Sequence, residues 1–342
     1  MDNVLLLAHT EPDGSLPRAA LEALAAAKVL SGGAPVAAAL FGASVDAAAL
    51  ALGGAGVSKV LSAQGDELGQ PRYGSDAAAA AALVRASGAT VVVAPATSRM
   101  ARVAAGVAQR LGGRVDTHVT QVSADGGPAA TRWYYRQRIE GRIRRKERPW
   151  LLLVDPGAHP AAATSDGPPP AVERVAVDLP AEALRTRVSG LKAPSSGEQT
   201  IRPDAKLLFV AGAGWTKKQP DGKPHPERAE ELILGFLRAS GASLGSSKSL
   251  VDQAGEGQKV LAFMSHLNQV GQTGATPRHP KGLSTCCHGE EPHVVGWRFV
   301  NQRRAVNLDP GCGWARGKAD VLYVADAFQV VERLNALLAA KK

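Results

Sequence analysis

The stretch Val4-Leu5-Leu6-Leu7-Ala8 decides the fold, because an unbroken apolar run of strand length is typical of a strand buried on both faces. A polar loop at residues 9–15 follows it, and residues 18–30 then show a helical period. We expect this helix to turn one apolar face to the sheet, formed by Leu21, Leu24, Ala25 and Val29. A strand, a loop and a helix in this order are typical of α/β folds.

Strands and helices continue to alternate through the first half of the chain. The predicted strands cover residues 35–40, 90–94 and 115–122, with a short one ending at 60–61, and the predicted helices cover 45–52, 76–86 and 99–111. Residues 133–135 and 150–154 are predicted as antiparallel edge strands around a basic segment. The pattern predicts an N-terminal α/β domain, residues 1–188, with a mostly parallel sheet covered by helices.

The second half restarts the pattern after a linker, predicted at residues 189–203, that contains Pro194-Ser195-Ser196-Gly197. The predicted strands cover 205–211, 242–245, 305–307 and 321–324, and the predicted helices cover 227–240 and 328–338. We therefore expect a two-domain α/β protein whose C-terminal domain, residues 204–342, is doubly wound. Sheets of this kind bind ligands at the carboxyl ends of their strands.

Composition and charge limit the classes of function. The chain has 342 residues and a net charge of +9, with its bases crowded between Arg132 and Arg148. No zinc-finger, homeodomain or RNA-recognition signature accompanies them, so we expect a solvated face or a dock for an acidic protein rather than a nucleic-acid site. An acid at Asp2 and the lack of any apolar run of about eighteen residues predict a cytoplasmic protein without membrane insertion.

Polar, glycine-bearing motifs follow the predicted strands of the second half. In the run from Gln269 to Gly274, two glycines bracket Gln272 and Thr273 and would let a ligand approach the backbone. Three more motifs lie in the same half of the chain, one before this run and two after it: Gly245-Ser246-Ser247-Lys248-Ser249-Leu250-Val251-Asp252, Asn307-Leu308-Asp309-Pro310 and Ala325-Asp326-Ala327-Phe328-Gln329-Val330-Val331. A ligand that touches all of these loops would be long, like a dinucleotide.

At these motifs the chain resembles the alpha subunits of electron transfer flavoproteins, as a divergent member. The resemblance covers nearly the whole chain and is most specific in the second half. It implies that the C-terminal domain is FAD-binding-like, with no catalytic residue and no metal ligand of its own. The cofactor-binding residues that it implies are Ser247, Lys248, Val270, Gly271, Gln272, Thr273, Gly289, His293, Asn307, Asp326 and Ala327.

The resemblance also implies a role for several of these residues. Ser247 and Asn307 would bind the phosphate or ribityl region of FAD, and Asp326 would lie on the adenosine side. Thr273 would face the flavin N5 atom, with Gln272 beside the ring. His293 would face the pyrimidine end, where an imidazolium stabilises the negative charge of a reduced flavin.

The function implied is electron transfer with partners rather than stand-alone catalysis. The chain would pair with a beta-type subunit, bind FAD and carry electrons from a dehydrogenase to a downstream acceptor. Protein neighbours would tune the potential of the flavin.

Two alternatives remain open at the level of sequence. Gly214 and Lys248 stand where the family has arginines, and the run Glu290-Glu291-Pro292 differs from the family pattern, so the chain could be an FAD-less structural subunit of a larger oxidoreductase complex. Alternatively, the chain could be a metal or iron–sulfur subunit. Its candidate ligands would be Cys286, Cys287, Cys312 and either His288 or His293. Adjacent cysteines with one distant partner fit the usual cluster spacing poorly, and small thiols packed under a loop explain them better.

Overall fold

The structure is a computed structural model that describes residues 2–135, 139–164, 167–190, 201–202, 205–252, 261–270, 279–286, 300–311 and 313–340. The chain divides into two compact units, Met1–Leu191 and Lys192–Lys342. This division falls inside the predicted linker 189–203, whose extent stays a prediction. Within the described residues, no helix combines the length and the apolar character needed to cross a membrane.

One sheet runs through the described part of the first unit. Its strands are β1 (Val4–His9), β2 (Val36–Gly42), β3 (Val57–Gln64), β4 (Val91–Pro95), β5 (Arg114–Ser123), β6 (Ala129–Tyr134), β7 (Ile139–Ile143), β8 (Trp150–Val154) and β9 (Val172–Arg174). They lie in the order β7-β6-β5-β8-β4-β1-β2-β3-β9. Neighbours are parallel except in the pairs β5–β6 and β6–β7.

Helices cover both faces of this sheet. They are α1 (Arg18–Ser31), α2 (Asp46–Ala51), α3 (Tyr73–Ser87), α4 (Ser98–Arg110) and α5 (Ala181–Leu184). Helices α1 and α2 pack in one apolar core and α3 and α4 in the other, on opposite faces of the sheet. The alternation predicted from the sequence is confirmed.

Two expectations for the first unit were wrong. Strand β8 is not an edge strand but lies between β4 and β5, parallel to both, because its five apolar residues fill both faces of the sheet. Helix α1 buries Ala20, Leu24, Ala27 and Leu30, whereas Val29 is 46% exposed. Small alanines allow α1 to approach the sheet closely, so the buried face follows them rather than the larger side chains.

The second unit holds a purely parallel sheet. Its strands are β10 (Leu207–Ala211), β11 (Ser243–Ser246), β12 (Lys281–Cys286), β13 (Gln302–Asn307) and β14 (Val321–Val324), in the order β11-β10-β12-β13-β14. Its helices are α6 (Pro226–Ser240), α7 (Lys248–Asp252), α8 (Gly313–Lys318) and α9 (Ala327–Ala339). The order runs outward in both directions from the first strand, which is the doubly wound arrangement expected.

The central strand β12 was not predicted from the sequence. Leu283 is its one large apolar residue, and Lys281 and Gly282 are residue types that strands disfavour. Its neighbours β10 and β13 hydrogen-bond to it on both sides, so tertiary pairing rather than local propensity places it in the sheet.

Candidate functional site

The carboxyl ends of the five parallel strands meet at one edge of the second sheet. Strand pairing places Ala211 of β10 beside Ser246 of β11, and Cys286 of β12 beside Asn307 of β13. The chain leaves β10 toward β11 on one side and later returns to β12 on the other. The gap between β10 and β12 is therefore the topological switch point, where such sheets bind ligands.

Two buried serines follow one another at the end of β11. The backbone N–H of Ser247 donates to the carbonyl oxygen of Ala211 at 2.9 Å. The side-chain oxygen of Ser247 accepts from the N–H of Leu250 at 3.2 Å in the first turn of α7. The hydroxyl of Ser246 is also buried, and no described residue hydrogen-bonds to it. A hydroxyl left in this state at a strand end is a group that a bound ligand could satisfy.

Lys248, one of the predicted cofactor-binding residues, is paired within its own helix. Its ammonium contacts the carboxylate of Asp252 one turn later, and Nε2 of His266 lies 2.7 Å from the other carboxylate oxygen. The hydrogen bonds from Lys248 and then from His266 hold the pKa of Asp252 below its ordinary value. The positive charge of Lys248 is thus already paired with the carboxylate of Asp252. The sequence did not indicate His266, because only the fold brings it to Asp252.

Val270 anchors the glycine-bearing motif to the sheet. Its side chain is fully buried, and its N–H donates to the carbonyl oxygen of Ser246 at 3.0 Å. Gln269 forms a parallel bridge with Ser246, so this segment runs alongside β11. Gly245 makes the close approach possible, because a Cβ on that residue would lie 2.5 Å from Cγ2 of Val270. The predicted site residues Gly271, Gln272 and Thr273 lie outside the described residues.

Asn307 and Asp326 hydrogen-bond to the turns that follow β13 and β14. The buried side chain of Asn307 accepts from the N–H of Asp309 at 3.1 Å, and its carbonyl oxygen accepts from the N–H of Ala325 at 3.2 Å. Asp326 caps α9, since its Oδ1 accepts from the backbone N–H groups of Phe328 at 2.7 Å and Gln329 at 3.2 Å. Both side chains therefore shape the turns at the carboxyl edge.

Ala327 is fully buried in the first turn of α9. A residue without a long side chain at this position lets the helix start close to the sheet. The described members of the predicted site that lie at this edge are Ser247, Lys248, Val270, Asn307, Asp326 and Ala327.

Two comparisons with known proteins show the family to which the chain belongs. A model of the electron transfer flavoprotein domain matches residues 4–180, slightly more than half of the chain. The chain belongs to the electron transfer flavoprotein family. It is also 25% identical, over 323 residues, to a protein named electron transfer flavoprotein subunit alpha from Syntrophomonas wolfei subsp. wolfei, covering 94% of this chain and 95% of that protein. The family resemblance predicted from the sequence is confirmed.

The described residues fit the polar part of a dinucleotide such as FAD. Serine hydroxyls, a lysine ammonium and an asparagine amide are groups that bind phosphate and ribityl oxygens. The buried hydroxyl of Ser246 has no hydrogen-bonding partner among the described residues, so it adds an unsatisfied polar group to this edge.

A buried tryptophan that the sequence did not indicate supports the same edge. The indole Nε1 of Trp215 donates to Oγ1 of Thr285 at 2.9 Å, and this hydroxyl donates to the carbonyl oxygen of Val210 at 3.0 Å. Trp215 lies in the single helical turn Ala213–Thr216 that follows β10. The turn also buries Gly214, which stands in place of a family arginine, and the carbonyl oxygen of Gly214 accepts from the amide of Gln219 at 3.1 Å.

The remaining site predictions fall outside the described residues. These positions are Gly289, His293 and the candidate metal ligands Cys287, His288 and Cys312. Cys286 is described as the last residue of β12. Within the described part of the chain, no group of three or more His, Cys, Asp or Glu residues could hold a metal ion. The cysteine-ligated alternative therefore stays a prediction.

Proposed function

We propose that this chain is an alpha-type electron transfer flavoprotein subunit that binds FAD together with a beta-type partner. It would carry electrons from a dehydrogenase to a downstream acceptor and work in the cytoplasm. The observation that carries the proposal is the meeting of Ser247, Val270, Asn307 and Asp326 at the carboxyl edge of a doubly wound sheet. The same residues carry the family motifs in the sequence.

FAD would supply the redox chemistry, because the described side chains at this edge are binding groups rather than redox groups. Ser246, Ser247 and Lys248 would hold the diphosphate and ribityl oxygens at the tip of β11. Asn307 would fix the turn that follows β13. Asp326 would present its carboxylate on the adenosine side, where its second oxygen is not used by the helix cap.

The ring end of the site would be formed by the motif that starts at Val270. Burial of Val270 fixes the beginning of the motif, and Gln272 and Thr273 would then contact the flavin ring. Gly289 and His293 would face its pyrimidine end. A cationic His293 would favour the reduced, negatively charged flavin over the oxidised one.

The absorption spectrum of the chain co-expressed with its beta-type partner tests the proposal. We expect a yellow complex that retains FAD, and a Thr273→Ala variant with weakened FAD binding or a shifted flavin potential. Thr186→Ala, an exposed threonine of the first unit, is the matched control and should leave both unchanged. A fully folded complex without flavin absorbance after purification with added FAD would overturn the FAD assignment.

A second candidate function is that of an FAD-less structural subunit. The pairing of Lys248 with Asp252 favours it, because the cation that would meet the cofactor already has a counter-charge. In that case the Thr273→Ala variant would assemble normally, and the oxidoreductase complex would keep its activity. Loss of bound FAD in the variant would exclude this candidate.

A further inference from the structure

A cavity of about 570 Å³ lies along one face of the sheet of the second unit, with Val306 and Ala325 lining it near the carboxyl edge. The face of the sheet forms its floor, and α6 and α9 form its roof. Three of its lining residues, Leu207, Lys281 and Gln302, are the first residues of their strands, so the cavity reaches the opposite edge of the sheet. We call it the α6–α9 cavity. Its apolar walls include Leu207, Phe236, Leu283, Val306, Leu334 and Leu338.

The packing of the two helices leaves this space open. Helices α6 and α9 contact each other directly, since Nδ2 of Asn335 donates to the carbonyl oxygen of Leu232 at 3.0 Å. Gly235 allows this approach, because a Cβ on it would lie 3.1 Å from Nδ2 of Asn335. Below them, Gly282 and Ala325 contribute no bulk to the lining.

The walls of the cavity carry apolar surface that the described protein buries only in part. Leu207 and Leu283 on the floor and Leu334 and Leu338 on the roof are all only partly buried. An apolar ligand would remove this surface from water and would be stabilised by the hydrophobic effect. The volume lies within the range of about 300–1,000 Å³ that small-molecule sites show.

Two cations give the cavity a preference for a charged end group. Lys281 and Arg304 line it, and no acidic residue does so among the described residues. Nη1 of Arg304 donates to the hydroxyl of Tyr323 at 2.9 Å. Neither Lys281 nor Arg304 forms an ion pair with any residue in the described part of the chain. The cavity thus combines an apolar body with an uncompensated positive rim.

We propose that the α6–α9 cavity binds the carboxylate of an unbranched fatty acid. The acyl chain lies between the leucines of floor and roof, and the carboxylate meets Arg304 and Lys281. A guanidinium binds a carboxylate through two parallel hydrogen bonds, which favours this head group over a neutral one. The concave shape suits a chain that enters the protein. The inference does not rest on FAD, because none of the described residues proposed to hold FAD lines this cavity.

Calorimetric titration of the full chain in complex with its beta-type partner tests this site. The probes are octanoate, decanoate and dodecanoate, each below its micelle concentration. We expect saturable binding of one carboxylate per complex, with affinity rising about fourfold for each added methylene. 1-Decanol should bind at least tenfold more weakly than decanoate, because it lacks the charge.

Variants locate the binding to this cavity. The pair Arg304→Gln and Lys281→Gln should weaken decanoate binding by about tenfold to a hundredfold and leave 1-decanol binding unchanged. Arg238→Gln, an exposed cation on α6 outside the cavity, is the matched control and should change nothing. Leu334→Trp should abolish binding of both probes by filling the cavity, with circular dichroism to confirm folding.

Several results would overturn the proposal. They are the absence of saturable binding, affinity that does not depend on chain length, and equal binding by the parent and the Arg304→Gln, Lys281→Gln variant. Binding of phosphatidylcholine vesicles without binding of free decanoate would assign the cavity to a membrane lipid instead. Self-association that Leu334→Trp abolishes, seen by sedimentation without decanoate binding, would assign it to a second copy of the chain.

Discussion

Asp116 on β5 organises part of the basic segment of the first unit through its own charge. Its buried carboxylate accepts hydrogen bonds from Nε of Arg145 at 2.6 Å, from Nη1 of Arg132 at 2.9 Å and from the indole Nε1 of Trp150 at 2.9 Å. Arg148 is held separately, since its Nε donates to Asp2 at 2.6 Å. Arg132, Arg145 and Arg148 of the basic segment are therefore held in intramolecular ion pairs and are not available to a partner.

Asp116 should make folding sensitive to acid. Burial raises its pKa, but the hydrogen bonds from Arg145, Trp150 and Arg132 outweigh burial and hold the pKa below its ordinary value. A carboxyl group with a lowered pKa stabilises the fold above its unfolded pKa of about 3.9. This stability is lost as the pH falls through the lower folded pKa.

We therefore expect Asp116→Asn to lower the free energy of unfolding by about 2–4 kcal/mol at pH 7, because two arginines lose their acceptor charge. The difference from the parent should shrink as the pH falls below about 4, because the carboxyl of the unfolded parent then takes up a proton while that of the folded parent is still charged. Urea unfolding at a series of pH values measures both effects. Asp178→Asn, at an exposed position, should remain within about 0.5 kcal/mol. A pH-independent difference would contradict the charge network.

Asp326 has two roles to distinguish, the observed capping of α9 and the proposed binding of FAD, and two substitutions separate them. Asparagine keeps the oxygen that accepts from Phe328 and Gln329, whereas alanine removes the cap at a cost of about 1 kcal/mol. We expect Asp326→Asn to keep the parent stability but to weaken FAD binding by about tenfold, since a charged acceptor is lost. Thermal unfolding and fluorescence titration with FAD measure the two. Parent affinity in Asp326→Asn would assign Asp326 to the helix cap alone.

The contact between β11 and Val270 should be sensitive to a single methyl group. In Gly245→Ala the new Cβ would meet Cγ2 of Val270, a stiff β-branched side chain that cannot turn away freely. We expect a loss of about 1–3 kcal/mol in unfolding free energy, with weaker retention of FAD on dialysis. Gly317→Ala in α8 is the control, because nothing lies within 4 Å of its new Cβ and alanine favours helix. Equal stability of both variants would contradict the close contact.

The elements of this chain differ in how far the sequence could predict them. Strands β1 and β4 and helices α6 and α9 follow from their apolar periods, and their capping or terminal residues mark the ends. Strand β12 could not be predicted, because its neighbours rather than its side chains hold it in place. At the site, motif order predicted which described residues meet at the carboxyl edge, but the contacts of His266 with Asp252 and of Trp215 with Thr285 arise only in the folded chain.

The whole molecule has a net charge of +9, and only some of its bases are available to a partner. Arg142 and Lys146 are exposed and form no ion pair with a described residue, unlike Arg145. We expect the pair Arg142→Ala and Lys146→Ala to slow association with the beta-type subunit and to reduce the dependence of that rate on salt. Stopped-flow mixing at several salt concentrations measures it.

The control for this prediction lies in the same segment. Arg145→Ala should lower the stability of the chain, because it removes two hydrogen bonds from Asp116. The pair Arg142→Ala and Lys146→Ala should stay within about 0.5 kcal/mol of the parent. An association rate unchanged by that pair would place the partner on another surface.

Strand β9 has a consequence for how copies of this chain behave in a crowded solution. It is three residues long and exposed, yet it pairs with β3 from Val60 to Ser62, and Lys59 Nζ lies 3.1 Å from Oε2 of Glu173 beside it. A short, charged edge strand offers few backbone N–H and C=O groups with which a strand of another molecule could pair. Without β9, the edge strand would be β3, which is longer and would offer more of these groups. Three residues outside the core thus disfavour edge-to-edge pairing of copies through this edge of the first sheet.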